Sequence, residues 1–188
     1  MSGAAPLRLE VVVGSVRAGR FAPTVADWFM RAVAAHPDFA AGTIDLATTP
    51  LPLDLAENDA VRAFRDRLAA ADAFVFVTSE YNHGYPAALK TAIDSAKHEW
   101  RGKPVGFVSY GGVSGGLRAV EQLRQVVAEV HMVSVRESVS FHRVKRQFDA
   151  AGETADGAAI DGAARMLRQL SWWGRALRAA RAAEPYPG

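Results

Sequence analysis

Strand-like and helix-like hydrophobic patterns alternate along this chain. The clearest strand is Ala73-Phe74-Val75-Phe76-Val77, which has no polar alternation and so reads as covered on both faces. Residues 7–13, 43–46, 105–109 and 132–139 supply four more strand candidates. Between them, apolar residues recur at helical spacing. Residues 22–35 turn Val25, Trp28, Phe29 and Ala32 inward, residues 58–70 do so with Val61, Phe64 and Leu68, and residues 117–129 form a further helix. Residues 86–97 open with Pro86, suited to a first helical position, and align Leu89, Ala92, Ile93, Ala96 and Trp100. After a polar stretch at 145–157, a last helix aligns Ile160, Ala163, Ala164, Leu167, Leu170 and Leu177.

Five strands alternating with helices predict an α/β fold, a doubly wound five-stranded parallel sheet with helices on both faces. The expected order is the flavodoxin-like 2-1-3-4-5, in a single domain over residues 1–188. That order brings the turns after the first, third and fourth strands to one sheet edge, beside the switch point where ligands bind.

Composition narrows the chemistry. The chain has no cysteine, which removes disulfides, thiolate metal sites, iron–sulfur clusters and redox thiols, so redox chemistry would belong to a bound cofactor. No metal is expected. The opening Met-Ser-Gly-Ala-Ala-Pro is not a leader pattern, and no apolar run approaches the ~18 residues of a membrane span. A soluble cytoplasmic protein without membrane attachment is expected. Lys and Arg number 22 against 20 Asp and Glu, a formal charge of +2. Arg165, Arg168, Arg175, Arg178 and Arg181 read as the solvated face of the last helix. No nucleic-acid module is present, and Trp172 and Trp173 read as buried or interfacial anchors.

The three turns carry the candidate chemistry. The first, Gly14-Ser15-Val16-Arg17-Ala18-Gly19-Arg20-Phe21-Ala22-Pro23, offers backbone amides at a helix start, a hydroxyl and guanidinium forks, all suited to phosphate. It lacks the signatures of a P-loop and of the dinucleotide fingerprint, and alone it is weak evidence, since Gly14 and Gly19 that only shape a turn beside two solvated arginines would give the same pattern. The second, Glu80-Tyr81-Asn82-His83-Gly84, is polar with little to pack against. The third, Ser109-Tyr110-Gly111-Gly112-Val113-Ser114-Gly115-Gly116, lets backbone amides approach a flat ligand, with Ser114 expected as a helix N-cap. Together they would hold a phosphorylated planar ring, for which flavin mononucleotide (FMN) is the candidate.

Gly14-Ser15-x-Arg17, the run from Glu80 to Gly84 continuing through Pro86, Leu89-Lys90, Ala92-Ile93-Asp94, and Gly111 through Gly115-Gly116-x-Arg118-Ala119 resemble the NADPH-dependent FMN reductase family of quinone, azo-dye and chromate reductases. The resemblance spans residues 7 to about 140. It implies that Ser15, Arg17, Phe21, Ala22 and Pro23 bind the FMN phosphate. It implies further that Glu80, Tyr81, Asn82, His83 and Gly84 contact the ring and ribityl chain, and that Ser109, Tyr110, Gly111 and Gly112 line the other side. It also implies a homodimer or homotetramer with the flavin near a subunit interface. Two positions depart from the family pattern: Ser79 stands where many members have Pro, which alters loop stiffness, and Gly19-Arg20-Phe21 stand where Ser or Asn often bind phosphate.

In such an enzyme NADPH, or NADH, would reduce the flavin and leave, and a small acceptor (quinone, free flavin, azo compound or metal oxyanion) would take its place in a ping-pong cycle. No side chain need be a nucleophile. His83 is the one candidate acid, able to protonate a reduced quinone, while amides of the third turn would face the charge of reduced flavin. The alternatives are a flavodoxin-type electron carrier, a class far more acidic than this chain, and a non-catalytic flavin-binding protein.

Overall fold

The apolar runs become the middle of a sheet. The computed structural model describes residues 5–188, so the first four positions of the opening segment lie outside it. Its strands are β1 (Leu7–Val13), β2 (Phe39–Asp45), β3 (Ala73–Ser79), β4 (Pro104–Tyr110) and β5 (Val133–Phe141). All pair in parallel in the expected order β2-β1-β3-β4-β5. Every residue of β3 and β4 is buried, as strands covered on both faces must be. The edge strand β2 begins earlier than its pattern indicated, because Phe39 to Gly42 are mostly exposed or half-buried and owe their conformation to the ladder with β1 rather than to burial.

Helices α1 (Ala22–Ala34) and α5 (Gly157–Ala183) cover one face, and α2 (Asp59–Ala70), α3 (Ala87–Asp94) and α4 (Leu117–Glu129) cover the other. On the second face Trp100 sits among the rings of Phe64, Phe74 and Phe76, with centroids 4.8 to 6.2 Å away. Its Nε1 donates to the Ile93 carbonyl at 3.0 Å. Trp100 therefore reaches the expected core although α3 ends at Asp94, and Pro86 caps α3 in an extended conformation instead of opening it.

The last helix keeps part of its expected face, with Ala163, Leu167 and Leu170 buried and Ala164 exposed. Ile160 is exposed, and the face turned inward is Ala159, Gly162, Ala163, Met166, Leu167, Leu170, Ser171 and Gly174. Close approach decides this register: a Cβ on Gly106 would stand 2.7 Å from Met166 Sδ, and one on Gly174 2.8 Å from Leu7 Cδ1. The arginines of α5 are not simply solvated either. Arg165 pairs with Glu137, Arg175 with Asp38, and both Arg178 and Arg181 with Asp72. Trp172 is 64% exposed and Trp173 36%, so neither is anchored inside the chain. No helix among the described residues is long and apolar enough to cross a membrane.

Lys103, buried at the start of β4, donates from Nζ to the carbonyls of Leu68 (2.7 Å) and Ala69 (3.0 Å) at the end of α2. Burial, aided by nearby Arg181, pulls its pKa down to about 8 from an ordinary 10.5. Below about pH 8 both folded and unfolded chains carry this charge, and the native state bears the cost of burying it. As pH rises from 8 to 10.5 the folded form sheds the proton first, so the native state gains relative stability. Denaturant unfolding of the wild type and Lys103→Met should therefore diverge in that window, the wild type gaining up to about 3 kcal/mol on the variant.

Candidate functional site

The carboxyl ends of β1, β3 and β4 converge on a cavity of about 530 Å³, a size suited to a small-molecule ligand. Its wall includes Ser15, Arg17 and Phe21 from the first turn, Glu80 and Tyr81 from the second, and Tyr110, Gly111 and Gly112 from the third. Six other residues expected here do not line it. Ala22 is buried as the first residue of α1, and Pro23 is exposed and has no N–H to offer. Asn82, His83 and Gly84 form a turn outside the lining. Ser109 is buried beneath the cavity, its Oγ donating to the Gly115 carbonyl at 2.9 Å.

In the first turn, Gly14 lies so close to α3 that a Cβ would stand 3.2 Å from Leu89 Cβ. Ser15 Oγ is 2.9 Å from Tyr81 Oη, joining this turn to the second. Arg20 donates to both Asp45 oxygens, at 2.7 and 2.5 Å, and to the Ser15 carbonyl at 2.5 Å. This bidentate clamp spends the guanidinium on the end of β2. Arg17 is exposed and has no partner among the described residues. At the start of α1, Phe21 makes no side-chain cap bond and the first turn has no acidic residue, so free amides remain at the positive end of the helix dipole.

The second turn is a two-residue hairpin. Tyr81 and Gly84 exchange backbone bonds of 2.8 and 3.0 Å, and Asn82 (φ 49°) and His83 (φ 74°) occupy left-handed backbone between them. Positive φ is uncommon outside glycine, but Asn and His are among the residues that adopt it most readily. Helix α4 holds the turn in place. Arg118 Nε donates to Glu80 Oε1 at 2.5 Å, its backbone N–H to Oε2 at 3.2 Å, and its Nη1 lies 2.7 Å from His83 Nε2. Gln122 Nε2 donates to the His83 carbonyl at 3.0 Å. Because the guanidinium can only donate, His83 Nε2 is the accepting atom of this contact. Burial of the Glu80 side chain, only 3% exposed, would raise its pKa, but Arg118 with the Ser114 hydroxyl holds it below the ordinary value. Ser114 is thus not the cap of α4. That position belongs to Gly116, whose left-handed backbone (φ 87°) leaves no room for a Cβ beside Ser109.

Two features of the wall escaped the sequence reading. Residues 143–146, which lie past the expected fifth strand and at the head of the polar stretch, line the cavity with Arg143, Lys145 and Arg146. They are strapped to the glycine turn: Arg143 N–H donates to the Gly112 carbonyl at 2.6 Å and Val144 N–H to that of Gly111 at 3.1 Å. The available signal was a basic run just past a strand that ends at the same sheet edge. Ser79 does more than alter stiffness. It pairs in register with Tyr110, and Ser79 Oγ and Tyr110 Oη are both buried in the wall, neither in a well-formed hydrogen bond among the described residues, although the Ser15 and Ser79 hydroxyls lie near the Tyr110 phenol. Burial pushes the Tyr110 pKa up to about 12, so the phenol stays protonated and able to donate.

Residues 7–146 match the model of the family described as NADPH-dependent FMN reductase. The chain belongs to that family. Membership makes it an FMN-dependent oxidoreductase of the NAD(P)H-linked kind. An NAD(P)H-dependent FMN reductase of Schizosaccharomyces pombe is 38% identical over 136 residues, covering 66% of this chain and 68% of that protein. A 2-hydroxy-1,4-benzoquinone reductase of a Burkholderia species is 32% identical over 134 residues, 69% of each chain. Among solved structures, the flavoenzyme NAD(P)H:(acceptor) oxidoreductase FerB of Paracoccus denitrificans superposes with a TM-score of 0.73 at 22% identity, covering 90% of this chain and 97% of its own.

The Glu80–Arg118 pair sets a stability test for this reductase-family site. Its contribution is present above the unfolded carboxylate pKa, about 4.3, and fades as pH falls through the lower folded value. Arg118→Met should cost about 2 kcal/mol at pH 7, where a buried carboxylate loses its cation. Urea unfolding at pH 7 and pH 3.5 checks this, since the deficit should shrink at the acid value.

Proposed function

We propose that the cavity holds FMN and that this single-domain protein passes electrons from NADPH to a small acceptor of the quinone class by a ping-pong cycle. The observation that carries this reading is a pair of buried, unpartnered hydroxyls, Ser79 Oγ and Tyr110 Oη, facing a cavity whose other wall is an uncapped helix start beside unpaired Arg17. Such groups cost stability until a polar ligand meets them. FMN, when bound, supplies hydride acceptance and electron release.

The chain's own part is to bind and orient. Ser15, Arg17 and the free amides of Phe21 and Ala22 suit the phosphate, and Glu80–Tyr81 and Gly111–Gly112 flank the space for the ring. Gly111 has already given its N–H to the Phe141 carbonyl at 3.1 Å. Gly112 is therefore the residue of that pair whose amide remains to face developing negative charge. His83 is turned to Arg118 and has no place in proton transfer at the ring. The quinone class is supported by the name of the Burkholderia relative. A homodimer or homotetramer with its interface beside the cavity is supported by exposed Val16, Tyr81, Val113 and Leu117, each in or next to the three turns. A cytoplasmic setting is supported by the NAD(P)H dependence of the family, whose reductant is a cytoplasmic metabolite.

Anaerobic addition of NADPH to the purified, FMN-loaded protein should bleach the flavin absorbance, and varied quinone should then give parallel double-reciprocal lines. A flavin that stays yellow removes the reductase reading and leaves an electron carrier. Tyr110→Phe should weaken FMN binding about tenfold while leaving the FMN-free protein as stable or about 1 kcal/mol more so. Fluorescence titration with FMN and thermal unfolding of the flavin-free form check the two halves separately.

A further inference from the structure

The cavity carries more positive charge than one FMN phosphate requires. Arg17, Arg143, Lys145 and Arg146 line it, and none has a hydrogen-bonded or ionic side-chain partner among the described residues. By contrast Arg20, which also lines it, is spent on Asp45, and Arg118 on Glu80. The wall's one carboxylate, Glu80, is therefore already neutralised, and the free charge of the site has one sign. A cavity lined this way concentrates anions.

The cations fall into two groups. Arg17 stands after β1, and the other three follow β5, three strand intervals away across β3 and β4. At ~4.8 Å per interval this is about 14 Å, so a single phosphate held by the first turn leaves the second group unmet. The second group is also fixed in place. The bonds from the N–H groups of Arg143 and Val144 to the Gly112 and Gly111 carbonyls, and His142 Nδ1 at 2.6 Å from the Val113 carbonyl, make residues 142–146 and the glycine turn one body. Arg143 is held in left-handed backbone (φ 48°) at the head of this segment, and Val144 is buried beneath it. The three charged side chains are exposed at the rim, whereas the hydroxyls of Ser79 and Tyr110 lie buried.

We propose that Arg143, Lys145 and Arg146 form a second anion subsite that selects the phosphorylated nicotinamide, NADPH over NADH, through its 2′-phosphate. The inference rests on the reading of the cavity as a flavin and nicotinamide site. A nicotinamide that reacts at the buried end of the cavity must direct its adenosine end toward the rim, where these cations stand. The 2′-phosphate is a terminal dianion near neutral pH, like other phosphate monoesters, and it matches guanidinium forks and an ammonium better than the shared diphosphate does. The three cations reach it from one short, hydrogen-bonded segment, so little ordering is needed on binding.

Three measurements test this on the FMN-loaded protein. In the wild type, kcat/KM for NADPH should exceed that for NADH, and adenosine 2′,5′-bisphosphate should bind more tightly than 5′-AMP by calorimetry. Lys145→Ala and Arg146→Ala should each lower the NADPH/NADH ratio of kcat/KM about tenfold, as loss of a charge-assisted contact does, and should lower the preference for the bisphosphate in parallel. Lys97→Ala removes the same charge from the loop before β4, at the opposite sheet edge, and should leave the ratio unchanged. Equal use of the two nicotinamides by the wild type, an unchanged ratio in both variants, or loss of bound FMN in place of a changed ratio would each overturn the proposal. Failure of either nicotinamide to bleach the flavin would instead remove the reductase reading itself, while the calorimetric comparison still decides the subsite.

Discussion

A parallel sheet covered by helices on both faces has nowhere to put polar chemistry except the ends of its strands. All of β3 and β4 is buried, so polar side chains appear only at their carboxyl ends, where Thr78 and Ser109 bond to backbone carbonyls and the last residues, Ser79 and Tyr110, reach the cavity. The aligned register of the central strands then brings three turns to a common edge. The cavity is thus a consequence of the topology. What distinguishes this chain is how it fills the edge: hydroxyls left unpaired at the base, one carboxylate neutralised, and free cations at two places on the wall.

Holding that edge requires each turn to be braced by something other than a ligand. The first turn is tied to β2 by Arg20 and Asp45, the second to α4 by Glu80 and Arg118, and the third to the segment after β5 by backbone bonds. Ser15 and Tyr81 connect the first two. The second brace matters most, because two successive residues of this hairpin, Asn82 and His83, sit in sparsely populated left-handed backbone, a conformation that persists where the surroundings fix it. Arg118 touches both the carboxylate and the imidazole of this turn. The same residue therefore shapes the pocket and removes His83 from it.

Much of this was legible in the sequence, and the failures have physical causes. Strand order, the two helical layers and the three turns follow from hydrophobic period and glycine placement, which are local signals. Eight of the expected site residues do line the cavity. Of the face expected of α5, Ala163, Leu167 and Leu170 are buried while Ile160 and Ala164 are exposed, because the inward face is set by where Gly106 and Gly174 permit close approach, which average hydrophobicity does not report. Its arginines looked solvated because their partners, Asp38, Asp72 and Glu137, are distant in sequence. Ser114 looked like a cap because a Ser before a helix usually is one, yet Gly116 in left-handed backbone takes that position. Residues 143–146 were missed because a strand end with a basic run has no periodicity to mark it as part of a wall.

The two unpaired hydroxyls bear on why the site is built from rigid parts. A buried donor without a partner costs about 1 to 3 kcal/mol, and a flexible turn would relax to find one. Ser79 and Tyr110 cannot relax, because both are the terminal residues of paired strands in the most buried part of the sheet. Tyr110 moreover stays protonated, since burial raises its pKa to about 12. Its donor is thus present whatever the pH of the solution below that value, and the same holds for the Ser79 hydroxyl. A site prepared in this way stores part of its ligand affinity as folding stability forgone. That storage lasts only while the sheet beneath the cavity stays closed, which returns the site's chemistry to the buried strands that created its edge.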